Sequence, residues 1–204
     1  MILFFNEPEF LPSLDFFHRI FQSDMWVVID HVPFKPRTPL NRVRIRTSAG
    51  AQAIIVPVVH PTPNMPIYRI CIDNLPRWKQ TLLDAITKTY GKSPYYDEYI
   101  DDFRSYILGP TVLLATLNLQ TTLWLSGLMG NNLSWIHTRE HDCSLPRNRI
   151  VDAVCQRLHA EPLEPSLSDS LEEDDIEEDL SVIDALFHVG ASATAKILHQ
   201  EYKS

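Results

Sequence analysis

Residues 2–30 run ILFFNEPEFLPSLDFFHRIFQSDMWVVID, two apolar stretches flanking an amphipathic one. Residues 2–6 predict a short buried strand. Pro8 and Pro12 bracket a loop, and Ser13 stands where an N-cap belongs, ahead of a helix over 14–22. Leu14, Phe17 and Phe21 share one face of that helix. Residues 25–29 are apolar again and end at Asp30. Strand, helix and strand with short links predict a βαβ unit, its strands parallel and its crossover right-handed. In that arrangement Asn6, Glu7 and Asp30 reach one edge of the sheet, the carboxyl edge where open α/β sheets bind ligands. The plainer reading of each acid is a cap or a turn residue.

Prolines at 33, 36 and 39 predict an irregular, extended segment after this unit. Residues 42–47 alternate polar and apolar as a strand does. Ser48, Ala49 and Gly50 read as a turn, and 53–59 as a strand that Pro57 breaks or ends. A fifth strand is expected over 68–72. Helices follow: one from Pro76 to a stop at Gly91, one over 95–107, one over 112–128. A late strand over 133–138 and a short helix over 147–159 come next, then helical patterns over 181–188 and 191–201. The expectation is an α/β fold: the βαβ unit leads into a mixed sheet of about five strands, followed by a mainly helical C-terminal half.

The 204 residues suit one domain with an ordinary core, since 45% are hydrophobic and 22% charged. Ten of the 26 acids fall in 161–179, which contains no base; the remaining 16 acids face 18 bases. The net charge of −8 is therefore a local property, and 161–179 reads as an acidic, flexible insert. A nearly neutral body gives no case for nucleic-acid binding. Three scattered cysteines, Cys71, Cys143 and Cys155, make no disulfide framework and suit a reducing compartment. The start lacks the pattern of a signal peptide, and no apolar run is long enough to predict a membrane span. Walker A, GxGxxG, GxSxG and HExxH motifs are absent.

Lys35, Arg37, Arg42, Arg44 and Arg46 form a basic run uninterrupted by acid, and the last three share one strand face. Guanidinium groups in a row suit phosphate or carboxylate; a solvated strand face is the plain alternative. His137, His141, Asp142 and Cys143 bring ligand-capable side chains together, but their spacing fits a surface loop better than a metal site. Tyr95, Tyr96, Tyr99 and Phe103 read first as helix packing, with Tyr95 a candidate at a pocket border. The candidate catalytic residues are thus Asp30, Asn6 and Glu7, and the candidate ligand-binding residues Lys35, Asn41, Arg42, Arg44 and Tyr95. No metal is expected and no cofactor is indicated.

Taken in order, several segments resemble the WbqC-like protein family. They are Asn6-Glu7-Pro8-Glu9-Phe10-Leu11-Pro12, Phe16-Phe17-His18-Arg19-Ile20 and Ser23-Asp24-Met25-Trp26-Val27-Val28-Ile29-Asp30. Val32, Phe34, Lys35, Asn41-Arg42, Ile45 and Val56-Pro57-Val58 continue the likeness, as do Trp78 and Tyr90-Gly91-Lys92-Ser93-Pro94-Tyr95-Tyr96-Asp97-Glu98-Tyr99. Leu180-Ser181-Val182-Ile183-Asp184-Ala185-Leu186-Phe187 is similar to the family's closing segment. The resemblance implies a bacterial cytoplasmic protein of surface-polysaccharide or O-antigen biosynthesis. The implied reaction is acyl or aminoacyl transfer to an amino sugar, with an anionic partner such as a sugar nucleotide or acyl donor. The chain departs from the family where His-Gln-Pro is usual and Asn6-Glu7-Pro8 stands, and again after Trp78, where a histidine is usual and Lys79, Gln80 and Thr81 follow. Those departures imply a divergent or inactive member. The alternative is a non-catalytic binding or scaffold protein that keeps the fold.

Overall fold

The computed structural model describes residues 1–47, 50–140, 147–163 and 180–199. The turn residues Ser48 and Ala49, the histidine-loop residues His141, Asp142 and Cys143, the acidic run from 164 to 179 and the expected helical residues after His199 lie outside them.

The opening unit is β1 (Ile2–Asn6), α1 (Leu14–Gln22) and β2 (Met25–Val28). Ser13 caps α1 by accepting the Phe16 N–H, as its position before an apolar-periodic run predicts. β1 and β2 are parallel, with Leu3 opposite Met25 and Asn6 opposite Val28. β5 (Trp135–His137) lies beyond β2 and β6 (Glu161–Pro162) beyond β1, completing a parallel sheet in the order β5-β2-β1-β6.

The period of two along each strand divides the side chains between two faces. Phe4, Trp26 and Val28 pack with Phe16, Phe17 and Ile20 of α1. The Phe16 ring meets those of Phe4 and Trp26 edge-on, at 5.2 and 5.4 Å between centroids. Leu3, Phe5, Val27 and Ile29 face the other way, onto Ile150 and Val154 of α5 (Arg147–Leu158). Helices therefore cover both faces, which is why these strands are continuously apolar instead of alternating.

The strands divide between two sheets. β3 (Arg42–Thr47) and β4 (Gly50–Ile55) form an antiparallel ribbon of their own. β4 stops short of Pro57, which has no N–H to offer a ladder. The segment expected as a strand over 68–72 begins as a 3-10 turn at Ile67–Arg69. Its backbone bonds go to several separate segments: Tyr68 N to Asp30 O, Ile72 N to Val112 O, and Ile70 O to Leu114 N. An apolar segment can be buried and hydrogen-bonded without joining a ladder, and its composition does not distinguish the two cases.

α2 (Pro76–Tyr90), α3 (Tyr96–Leu108), α4 (Leu114–Leu128) and α6 (Ile183–His199) make up the helical half. α4 is buried on several sides, and its Asn118 side chain donates to Pro8 O and Leu40 O, each at 2.7 Å. This ties the loop after β1 to the proline-rich segment. The two expected C-terminal helical stretches are joined through Gly190, whose φ of 80° and ψ of 165° kink α6. No helix among the described residues is long and apolar enough to cross a membrane.

Candidate functional site

Because β1, β2 and β5 are parallel, their carboxyl ends meet at one edge. Asn6, Val28 and His137 are aligned across them in register. Asp30 follows β2 by two residues and is fully buried. Its Oδ2 accepts from Arg139 Nε at 2.6 Å, Arg139 Nη2 stands 2.6 Å from it as an ion pair, and His137 Nδ1 lies 3.0 Å away. Asp30 Oδ1 is buried and has no hydrogen-bond partner among the described residues. The side chains that reach Asp30 open to solvent: His137 is 23% and Arg139 37% exposed.

Arg139 Nη2 stands 3.4 Å from His137 Nδ1 and 3.3 Å from Nε2. An in-plane position so nearly equidistant from both nitrogens would collide with the ring's own Cε1. The guanidinium therefore lies over the imidazole face. Nδ1 is turned toward the carboxylate; a proton held there would leave Nε2 with the in-plane lone pair. Thr138 fixes this turn from beneath: its hydroxyl donates to Val28 O at 3.1 Å and so accepts from His31 Nδ1 at 2.7 Å.

Tyr68 closes one side. Its N–H donates to Asp30 O at 2.9 Å. The guanidinium groups of Arg139 and Arg69 each lie 5.4 Å from its ring centroid. On the other side, Trp135 meets the His137 ring edge-on at 5.0 Å and stays 37% exposed. Trp135 and His137 project toward the face that α1 covers, but β5 is an edge strand beyond the α1-covered pair.

Glu7 follows β1. Burial pushes its carboxyl above the ordinary range, against the pull of the Arg147 and Lys35 charges. Arg147, the first residue of α5, also donates to Phe5 O at 3.0 Å. Asn6 donates to Glu9 Oε1 at 3.1 Å, and its carbonyl accepts from Ile29 N and Trp26 Nε1. Of the residues singled out from sequence, Asp30, Asn6 and Glu7 thus reach the same sheet edge, and Lys35 acts on Glu7 from the proline-rich segment.

The others lie elsewhere. Asn41 is buried, with both ends of its amide committed to backbone: Oδ1 to Arg37 N at 2.8 Å and Nδ2 to Val56 O at 3.0 Å. Arg42 and Arg44 line a cleft of about 70 Å³ with Glu9, Ser13 and Ser181. Arg46 pairs with Asp184 at 3.6 Å. Tyr95 stacks on Tyr99 and packs where a Cβ at Gly190 would fall. Sequence reasoning passes over Arg139, Tyr68 and Trp135. The readable signal is the late strand itself: in Trp135-Ile136-His137-Thr138-Arg139 the odd positions put an aromatic, an imidazole and a guanidinium in succession.

A family model described as the WbqC-like protein family matches residues 7–168. The chain belongs to this family. No curated protein and no solved structure matches it. The WbqC-like match spans Glu7, Lys35, Asp30, His137 and Arg139; β1 with Asn6, and α6, lie outside it. Among the described residues no three His, Cys, Asp or Glu side chains of this WbqC-like chain converge as a metal ion would require.

Proposed function

We propose that this WbqC-like chain is a cytoplasmic transferase of bacterial surface-polysaccharide or O-antigen biosynthesis, which moves an acyl or aminoacyl group onto an amino sugar at the carboxyl edge of its parallel sheet. The observation that supports this most is the fully buried Asp30 holding both His137 and Arg139 where three parallel strands end. A carboxylate on Nδ1 keeps imidazole in the tautomer that accepts a proton at Nε2. In the reaction the sugar amine attacks the carbonyl carbon of an activated acyl group, a thioester or acyl phosphate. The C–N bond forms, the bond to sulfur or phosphate oxygen breaks, and His137 Nε2 takes the amine's proton and returns it to the leaving group. Asp30 acts through His137 and is a positioning residue. Arg139, Lys35 and Arg147 supply the positive charge for anionic substrates and for the developing oxyanion.

The test is mass spectrometry of UDP-glucosamine incubated with purified protein and acyl-CoA or aminoacyl donors, beside His137→Gln and Asp30→Asn. Acylated product that falls at least about a hundredfold in His137→Gln is expected, the scale of a lost general base. Undiminished product in that variant overturns the assignment. A chain that forms no product and gains no thermal stability from any donor or sugar nucleotide is a scaffold and not this transferase.

A further inference from the structure

The side chains around His137 continue into a row that alternates aromatic and cationic groups. Trp135 touches His137 at 5.0 Å between rings. His137 lies under Arg139 at 3.3 Å. Arg139 lies over Tyr68 at 5.4 Å, and Arg69 adds a second guanidinium to that ring at 5.4 Å. The row begins on edge strand β5, crosses the end of β2 and finishes on the 3-10 turn Ile67–Arg69. Trp135 and Arg69 are its exposed ends.

We infer that this row seats the acceptor as a nucleotide-linked amino sugar in one orientation: the pyranose ring lies on Trp135, its amine faces His137, and its diphosphate spans Arg139 and Arg69 against Tyr68. The inference rests on the transferase reading above and adds the form and direction of the acceptor. Three features carry it. A flat, exposed indole offers its face to the apolar face of a sugar ring. Guanidinium groups present paired donors that match phosphate oxygens. Their order along the row matches the covalent order of sugar and diphosphate in such a molecule. The edge-on contact of Trp135 with His137 at 5.0 Å sets a ring stacked on the indole beside the imidazole. A free amino sugar would leave Arg69 and Tyr68 without a role.

The experiment is titration of the full chain with UDP-glucosamine, UDP and free glucosamine, read by tryptophan fluorescence and by thermal shift. Trp26 and Trp78 are buried and Trp124 is partly buried, so a quencher in solution reports chiefly on Trp135. UDP-glucosamine is expected to shield and shift Trp135 emission. UDP should bind and raise the melting temperature without that change, and free glucosamine should bind far more weakly. Trp135→Ala should weaken UDP-glucosamine about tenfold, the scale of one lost stacking contact, and leave UDP unchanged; Trp135→Phe should restore most of the loss. Arg69→Ala should weaken both nucleotides. Equal affinity of Trp135→Ala and wild type for UDP-glucosamine sinks the inference while the transferase reading stands. A Trp135 response to UDP alone reverses the orientation and also sinks it. Tighter binding of a single-stranded RNA than of UDP-glucosamine would make the row a nucleic-acid platform instead. Failure of every nucleotide and sugar to bind removes the transferase reading itself.

Discussion

Replacing Asp30 by Asn keeps its shape and removes its charge, which isolates what the carboxylate does for Arg139 and His137. The Arg139 Nε contact at 2.6 Å is a hydrogen bond to a charged acceptor, worth about 1.5–3 kcal/mol against about 0.5–1.5 for a neutral one. That bond loses about 1–1.5 kcal/mol on this basis, and the lost ion pair with Nη2, also at 2.6 Å, adds to it. A Coulomb check agrees in scale, since unit charges about 4 Å apart interact by about 4 kcal/mol at the effective dielectric of a protein surface. Two effects reduce the net loss: Asn is cheaper to bury than a carboxylate, and Arg139, 37% exposed, can turn to water. A net loss of about 2 kcal/mol lowers the melting temperature of a chain this size by about 4–8 °C.

The decisive assay is the double-mutant cycle of Asp30→Asn with Arg139→Gln, measured by denaturant unfolding. Arg139→Gln alone should cost more than Asp30→Asn, because it strands a buried carboxylate with only His137 beside it. The double variant should recover a coupling of about 2 kcal/mol. Nitrogen-15 NMR gives an independent reading: the His137 Nδ1–H resonance, held by a carboxylate in the wild type, should move upfield or exchange away in Asp30→Asn. A coupling below about 0.5 kcal/mol together with an unmoved His137 signal would refute the view that Asp30 organises this edge.

Two further outcomes follow from the same physics. Gly190→Ala places a Cβ 2.7 Å from a ring carbon of Tyr95 and asks alanine to adopt φ 80°, ψ 165°, a backbone region open to little but glycine; loss of about 2 kcal/mol or more is expected in thermal unfolding, and a melting temperature equal to wild type would mean that the kink relaxes. Glu7→Gln should stabilise the protein near pH 8 and leave it unchanged near pH 3. A carboxyl whose folded pKa is raised disfavours the native state once it ionises, so the penalty is absent below the unfolded pKa and grows as pH rises through the folded one. Denaturant midpoints across that range would test it, and a Glu7→Gln variant less stable at pH 8 would show that Arg147 and Lys35 outweigh burial.

Much of the architecture is legible in the amino-acid sequence because local signals agree with one another. The run over 2–6, the Ser13 cap and the run over 25–29 all point to the βαβ unit that is found. Pro76 and Gly91 mark the ends of α2, and the helix expected over 112–128 is α4. The segment over 68–72 departs from its expected strand because short runs of Ile, Tyr and Cys look alike whether they pair in a ladder or bond singly to several neighbours. The site is legible only on its near side. Asn6, Glu7 and Asp30 lie close in sequence, so topology alone can place them together. Arg139 joins Asp30 across a separation of 109 residues, and only the docking of β5 beside β2 reveals it. Asn41 illustrates the opposite error, since a polar side chain in a loop is open to ligand binding until its two backbone partners are visible.

The resemblance implies a histidine where Asn6 stands, and the sheet shows where such a side chain would lie. Position 6 and His137 are both aligned with Val28, one strand away on either side. Strand spacing sets them about 9.6 Å apart at the backbone, on the same sheet face, with Asp30 just beyond the strand between them. A histidine at position 6 would therefore look onto the same edge from the opposite flank. His137 holds the β5 flank, with its Nδ1 3.0 Å from the buried carboxylate. Glu7, next in the chain and pushed up by burial, remains on the β1 flank, so the presence of Asn6 does not strip that flank of an ionisable group.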